Sequence, residues 1–256
     1  MKDNQTLVFV GDCHSQHQQL EAALEWIESE FFYFGQEYPL ICFLGDLLDS
    51  RLDNHEKNYP PHSDPQRTFA MVRELVDNTD SVLLQSNHQD KLKRYLAHDL
   101  AGTTPNPVTV NSGLQYTISQ FINHLTVEEK QEIHDWLAAL PYHVVIDSYD
   151  LLHDSMTSFL CSHAYFNTAA NLQNPSKRHK QEALYGLLDD DNKRVDWWSD
   201  DNPISFYGLS PNAVRVGGHY HQLWKGLNNR VVDAGCGSTG GSLAIHIPAY
   251  NLWQEF

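Results

Sequence analysis

Five short apolar runs in this chain end in residue types that bind metal or move protons. Asp12 and His14 follow Thr6 to Val10, Asp46 follows Leu40 to Leu44, Asn87 with His88 follows Ser81 to Leu84, His163 follows Ser158 to Cys161, and His219 with His221 lies in GGHYHQ after Ala213 to Val216. Strand ends gather along one edge of a parallel or mixed sheet, so residues far apart in sequence meet in the crevice there. Carboxylates, imidazoles and one amide form a borderline-to-hard donor set suited to Mn²⁺, Fe, Zn²⁺ or Co²⁺. Two such ions about 4 Å apart need a carboxylate between them, and Asp46 is the natural bridge. Taken singly, each signal has a bland reading. A Gly-Asp turn with a nearby surface histidine is common, His163 alone fits a satisfied polar residue near the core, and His219 with His221 fits one face of an exposed strand. The conjunction, in that order and at those intervals, carries the argument.

The elements that must position these residues follow from the apolar pattern. Thr6 to Val10 reads as a first strand, and Leu20, Ala23, Leu24, Ile27 and Phe31 recur at helical spacing after it. Leu40 to Leu44 reads as a second strand; beyond the polar stretch Ser50 to Asp64, Pro65 opens a helix capped by Asp64. Ser81 to Leu84 is a third strand, with Gln89 to His98 as its helix. Thr126 with Glu129 is a capping-box signature for a helix reaching about Leu140. Tyr142 to Ile146 and Ser158 to Cys161 read as strands around a polar hairpin containing His153 and Asp154. Asn171 to Asn202 is polar and reads as a long surface excursion with one helix near Lys180 to Leu188. Ala213 to Val216, Arg230 to Val232 and Ser242 to Ile247 read as short strands joined by Gly-rich turns.

Composition narrows the class. A chain of 256 residues is long enough for one large α/β domain or two small ones, and no internal repeat or interdomain linker is visible. Apolar residues make up 41% and charged residues 20%, without an apolar run of bilayer-crossing length. The first residues suit a core strand better than a signal peptide, which leads us to expect a cytoplasmic protein with no membrane partner. Cys13, Cys42, Cys161 and Cys236 lack metal-site spacing and fit free thiols in a reducing compartment. A net charge of −16 argues against long nucleic acid as a partner, because backbone phosphates need basic surface. The 15 histidines are a generous ligand supply.

Gly11-Asp12-Cys13-His14, Gly45-Asp46-Leu47-Leu48-Asp49, Asn87-His88, His163 and His219-Tyr220-His221 resemble the ordered motifs of calcineurin-like metallophosphoesterases. HQDKLKRYL after the Asn-His pair and VVDAGCGSTGGSLAI near the C-terminus are similar to the phosphatase module of bacterial polynucleotide kinase-phosphatases and to symmetrical dinucleoside tetraphosphatases. WLAALPYHVVI before His163 is similar to the protein Ser/Thr phosphatase-like branch.

The resemblance implies an α/β fold, a four-layer α-β-β-α sandwich of two mixed sheets, as a single domain with excursions at about 103 to 140 and 167 to 207. It implies two divalent metal ions, Mn²⁺ first among them. Asp12, His14 and His221 would hold one, Asn87, His163 and His219 the other, and Asp46 would bridge. A metal-bridging hydroxide would attack phosphorus in a small phosphorylated substrate such as a nucleotide. His88, oriented by Asp49, would protonate the departing oxygen or steady the phosphoryl group.

Three departures from the family pattern bear on this. Ser86 stands where glycine usually precedes Asn-His, Gln89 stands where an acid usually follows, and Ser50, with Arg51 only after it, stands where the protein-phosphatase pattern carries Arg directly after the second Asp. A tight turn that glycine enters freely is the expected difficulty at Ser86. Phosphate clamping then falls to Arg51, to Lys91 and Arg94, or to Lys177 and Arg178, each of which also fits a solvated surface charge. Alternative readings are a protein Ser/Thr phosphatase, a metal-binding regulatory scaffold with weakened catalysis, and nucleic-acid end repair, the last opposed by the acidity and the missing Walker-type motif.

Overall fold

A computed structural model describes residues 6–33, 38–50, 63–103, 110, 112–165, 175–187, 189, 191, 193, 195–199, 213–236 and 241–256. Strands are β1 (Leu7–Val10), β2 (Leu40–Phe43), β3 (Val82–Leu83), β4 (His143–Asp150), β5 (Ser155–Ser162), β6 (Val214–Gly217), β7 (Leu223–Lys225), β8 (Asn229–Val232), β9 (Ala244–Ile247) and β10 (Leu252–Glu255). Helices are α1 (His17–Tyr33), α2 (Pro65–Asn78), α3 (Asn87–Leu100), α4 (Ser112–Gln120), α5 (Val127–Ala139) and α6 (Lys177–Tyr185).

Two five-stranded mixed sheets face one another, in the orders β10-β9-β1-β2-β3 and β4-β5-β6-β8-β7. β1, β2 and β3 run parallel, as do β5, β6 and β8, so the ends of these strands define one common rim in each sheet. All four residues of β1 are buried, as a strand covered on both faces requires. The two-residue period divides them: Leu7 and Phe9 join the layer between the sheets, and Val8 and Val10 join the helical layer outside. Phe9 meets Phe159 of the other sheet edge-on, 5.4 Å between centroids.

The helices start where their caps dictate. Asp64 accepts from the Arg67 N–H at 2.9 Å with Pro65 at the first helical position of α2. At α5 both halves of the capping box form: Glu129 N–H to Thr126 Oγ1 at 3.2 Å and Thr126 N–H to Glu129 Oε2 at 2.8 Å. α4 and α5 supply Leu114, Ile118, Ile133 and Leu137 to the helical layer, so much of 112–140 is core. Over the outer face of the second sheet, a short 3₁₀ turn at Trp197–Ser199 packs against β8 in an aromatic cluster with Tyr165, Trp197, Trp198, Tyr220 and Trp224.

A buried polar network joins the two sheets. Arg230 of β8, fully buried, donates to Asp150 Oδ2 of β4 at 2.6 Å and to His246 Nε2 of β9 at 3.0 Å. His246 donates from Nδ1 to the Leu252 carbonyl at 3.2 Å and stacks on Trp253 at 3.9 Å. The four cysteines are free thiols, all buried. Among the described residues no helix is long and apolar enough to cross a membrane.

Candidate active site

The rim of parallel strand ends carries the residues that the sequence singles out. Asp12 and His14 follow β1, Asp46 and Asp49 follow β2, Asn87 and His88 open α3 just past β3, His163 follows β5, and His219 and His221 follow β6. All but His221 are at least nine-tenths buried, and the His221 side chain is 29% exposed. Eight described non-glycine residues have positive φ, and six of them are here: His14 (46°), Ser15 (64°), Asp46 (38°), Asp49 (67°), His219 (73°) and His221 (54°). Backbone strain of this kind is concentrated where side chains must be aimed. Close approach is enforced too: a Cβ on Gly45 would fall 2.6 Å from His163 Nδ1, and one on Gly218 would fall 2.2 Å from Asp12 Oδ1.

Asp46 lies between two groups. Its Oδ1 faces His163 Nε2 at 3.3 Å, and its Oδ2 faces His14 Nε2 at 3.4 Å and His88 Nε2 at 3.7 Å. One ligand atom from each of Asp46, His163 and His219 falls within 4.8 Å of the others, and the same holds for His14, Asp46 and His88. Hydrogen bonds on the far ring nitrogens fix the tautomers. His163 donates from Nδ1 to the Leu44 carbonyl and His14 from Nδ1 to the Asp49 carbonyl, both at 2.9 Å, so each presents a lone pair at Nε2. The His163 lone pair meets Asn87 Oδ1 at 3.0 Å, Asp46 Oδ1 at 3.3 Å and His219 Nδ1 at 3.0 Å. A proton on His219 satisfies one of these contacts and leaves the two oxygens against a lone pair. Asp12 Oδ1, His14 Nε2 and Asp46 Oδ1 are buried without a hydrogen-bond partner among the described residues. Such a set of acceptors fits divalent cations.

The electrostatics agree with that fit. Burial lowers His14 to about 4 and also lowers His163, so both imidazoles are neutral at neutral pH, the form that can bind a cation. Burial opposes ionisation of Asp46, but His163, His88, His14 and His219 around it hold its carboxyl well below the usual range. Asp12 is pushed well above its ordinary value by burial, then by the Asp233 and Asp46 carboxylates.

Asp233 is a site residue that the sequence reading passed over. Its Oδ2 accepts from the His221 N–H at 2.6 Å and its Oδ1 from the Gly235 N–H at 2.9 Å, fixing the turn that carries His221. Its position directly after Val231 and Val232 repeats the strand-then-polar pattern of the candidate ligands. Thr117 of α4 is a second addition. Its hydroxyl donates to Asp49 Oδ1 at 2.8 Å, while Asp49 Oδ2 accepts from His88 Nδ1 at 2.9 Å. The expected Asp49 to His88 pairing is therefore present and is itself held in place.

The difficulty expected at Ser86 does not arise. Its φ of −125° and ψ of 171° are extended, so glycine is not required, and its hydroxyl caps α3 by accepting from the Gln89 N–H at 3.3 Å. That hydroxyl also donates to Gln89 Oε1, and Gln89 Nε2 donates to the Leu84 carbonyl at 3.4 Å. The two departures thus form one capping unit.

The basic residues are less converged. Arg94 is committed to Asp90, with Nε 3.0 Å from its carboxylate, and donates to the Tyr185 hydroxyl at 3.4 Å. Arg178 pairs with Glu182 at 2.8 Å, Lys91 lies in α3, Lys177 opens α6, and Arg51 lies outside the described residues.

Neither a family model nor a curated protein matches the chain. Solved structures do. The hypothetical protein PH1004 from Pyrococcus horikoshii OT3 is 14% identical with a TM-score of 0.51, over 98% of this chain and 86% of that one. A protein serine/threonine phosphatase from Saccharomyces cerevisiae with similarity to human phosphatase PP5 is 13% identical with a TM-score of 0.50, over 99% and 80%. A metallophosphoesterase from Sphaerobacter thermophilus is 15% identical with a TM-score of 0.47, over 99% and 88%. At these identities the first two establish a shared fold.

Proposed function

We propose that this chain, which has the two-sheet fold of the calcineurin-like metallophosphoesterases, is a metal-dependent phosphoesterase acting on phosphomonoesters or phosphoanhydrides of small molecules such as nucleotides. The observation that carries the reading is the crowding of acceptors at the strand rim, where Asn87 Oδ1, Asp46 Oδ1 and the His163 lone pair meet at 3.0 and 3.3 Å. Asn87, His163 and His219 would hold one ion, Asp12, His14 and His221 a second, and Asp46 lies between the two sets. Mn²⁺ is the ion we assign to this donor set. Divalent ions held there would acidify a water and offset the charge that develops on the phosphoryl oxygens.

The chain's own groups do the rest. Asp49 accepts from His88 Nδ1, which turns His88 Nε2 toward the centre, and Thr117 keeps the Asp49 carboxylate from rotating. His88 Nε2 supplies the proton that the departing oxygen takes up, and the Asp49 charge stabilises the imidazolium that carries it. Burial keeps His14 and His163 neutral, and the backbone carbonyls that accept from their Nδ1 fix the tautomers. Four buried thiols without a disulfide support a reducing, cytoplasmic setting.

The test is phosphate release from dialysed protein given Mn²⁺, with p-nitrophenyl phosphate, its bis-ester, a dinucleoside tetraphosphate and a phosphopeptide as substrates, and Asn87→Ala alongside. Mn²⁺-dependent turnover that vanishes in the variant is the expected result. Bound metal with no turnover of any ester would sink the enzyme reading in favour of a regulatory scaffold.

A further inference from the structure

One face of α6, together with Gly186 just beyond its end, walls a cavity of about 280 Å³, lined by Arg178, Gln181, Glu182, Tyr185 and Gly186. This helix is pinned beside the ligand cluster. The two residues after His163 bond to it directly, Ala164 N–H to the Ala183 carbonyl at 2.8 Å and Tyr165 N–H to the Glu182 carbonyl at 3.3 Å. Gly186 lies against the Tyr220 hydroxyl, and Tyr220 stands between His219 and His221. From the other side Arg94, on the helix that Asn87 and His88 open, reaches the Tyr185 hydroxyl. The helix that walls the cavity is therefore packed against the segments that carry His88, His163, His219 and His221.

Its chemistry is specific. Glu182 is 6% exposed; its Oε1 accepts from Arg178 Nε at 2.8 Å, and its Oε2 is buried without a hydrogen-bond partner among the described residues. A buried carboxylate oxygen left unpaired is costly, and a ligand O–H or N–H donated to it removes that cost. Beside it lie the Tyr185 ring, a flat apolar surface, and the Arg178 guanidinium, 77% exposed. An aromatic face, a single buried acceptor and an outward cation suit a planar base joined to a hydroxyl-bearing sugar.

The geometry points to this cavity as the leaving-group subsite, taking a nucleoside whose hydroxyl or amino hydrogen bonds Glu182 Oε2 and whose base packs on Tyr185. The inference rests on the phosphoesterase reading of the adjoining centre, and it names the substrate class of that centre as nucleotides.

The test measures phosphate release from adenosine 5′-monophosphate and from methyl phosphate, whose leaving group is too small to reach α6, in the wild type, Glu182→Gln and Tyr185→Leu. Adenosine binding to the same Mn²⁺-loaded proteins is followed by saturation-transfer NMR, and thermal melts confirm that the variants are folded. The expected result is a fall of about tenfold or more in the ratio of kcat/KM for the nucleotide over methyl phosphate in both variants, with weakened adenosine binding. An unchanged ratio with unchanged adenosine binding overturns the subsite, as does a wild type that prefers a phosphoserine peptide to the nucleotide. If no ester is turned over, the phosphoesterase reading fails by itself. Adenosine binding then decides the subsite: binding that the variants weaken supports it, and no binding overturns it.

Discussion

His163 Nε2 and Asn87 Oδ1 lie 3.0 Å apart, and neither has a proton to offer the other, because the only ring proton of neutral His163 is donated from Nδ1 to the Leu44 carbonyl. Two acceptors in contact are stable only with a positive charge between or beside them. The first prediction is that Mn²⁺ stabilises the fold. At a metal concentration of 100 Kd the linkage gives about 2.7 kcal/mol, a rise in Tm of roughly 5–10 °C for a domain of this size. Differential scanning calorimetry with and without chelator should show the rise in the wild type and lose most of it in Asn87→Ala. A wild type whose Tm ignores Mn²⁺ would remove the basis for the site.

On the proposed mechanism the hydrogen-bonded chain from Thr117 through Asp49 to His88 serves proton delivery and not metal binding. Replacing His88 with Asn should lower kcat by about 10²–10⁴, the range for a general acid. Asp49→Asn should cost about 10–100-fold, because the imidazole loses its orienting partner. Mn²⁺ affinity, read by isothermal titration, should change far less than turnover in both variants. Equal losses in affinity and turnover would make His88 a ligand instead.

Ser86 shows how a departure from the resembled motif is accommodated. Since its backbone is extended and its hydroxyl caps α3, Ser86→Gly should not raise turnover. It should instead lower stability by a few tenths of a kcal/mol through the lost cap, and by more because Gln89 Oε1 loses its donor. Chemical denaturation and phosphate release on the same preparation check both halves. A large gain in kcat would mean that the serine obstructs the site.

The metal-ligand candidates were legible in the sequence because each obeys a local rule: an apolar run ends and a polar ligand follows. Asp233 obeys the same rule, after Val231 and Val232, but its work is to accept the His221 N–H, a contact between residues that only the folded turn brings together. Thr117 carried no signal, since a threonine inside a helix is ordinary until Asp49 is placed opposite it. The strands β7 and β10 were missed for another reason. They are half-exposed pieces of three and four residues at sheet edges, where alternation is weak. α6 begins at Lys177, earlier than the apolar residues suggest, because the Ser176 hydroxyl caps it by accepting from the His179 N–H.

Asp233 yields its own prediction. Its carboxylate fixes the His221 turn and adds negative charge beside Asp12. Asp233→Ala should weaken Mn²⁺ binding by about 10–100-fold, the cost usual for residues that hold ligands in place. Asp233→Asn, which keeps one acceptor oxygen, should lose less. Titration calorimetry on both variants separates this from a purely structural role, which would change Tm without the graded change in affinity.

The last prediction concerns acid. Burial and then the Arg230 charge push His246 well below its usual 6.5, and Arg230 Nη1 donates to the Nε2 that a proton would need. The folded protein therefore keeps His246 neutral, while the unfolded chain takes up a proton below about pH 6.5. The unfolded state binds more protons, so the contribution of this residue is fully present above pH 6.5 and is lost as pH falls toward the depressed value. The slope approaches about 1.4 kcal/mol per pH unit for each histidine so held. His14 and His163 are lowered in the same direction and together outweigh Asp12, whose raised carboxyl acts the opposite way, so the wild type should lose stability between pH 6.5 and 5. Glutamine at 246 can accept from Arg230 and donate to the Leu252 carbonyl without titrating. Urea melts at pH 8, 6.5 and 5 in chelator should show His246→Gln losing less stability across that interval than the wild type by about one proton's slope. Parallel losses in the two proteins would show that His246 is not the group that the inter-sheet network keeps neutral.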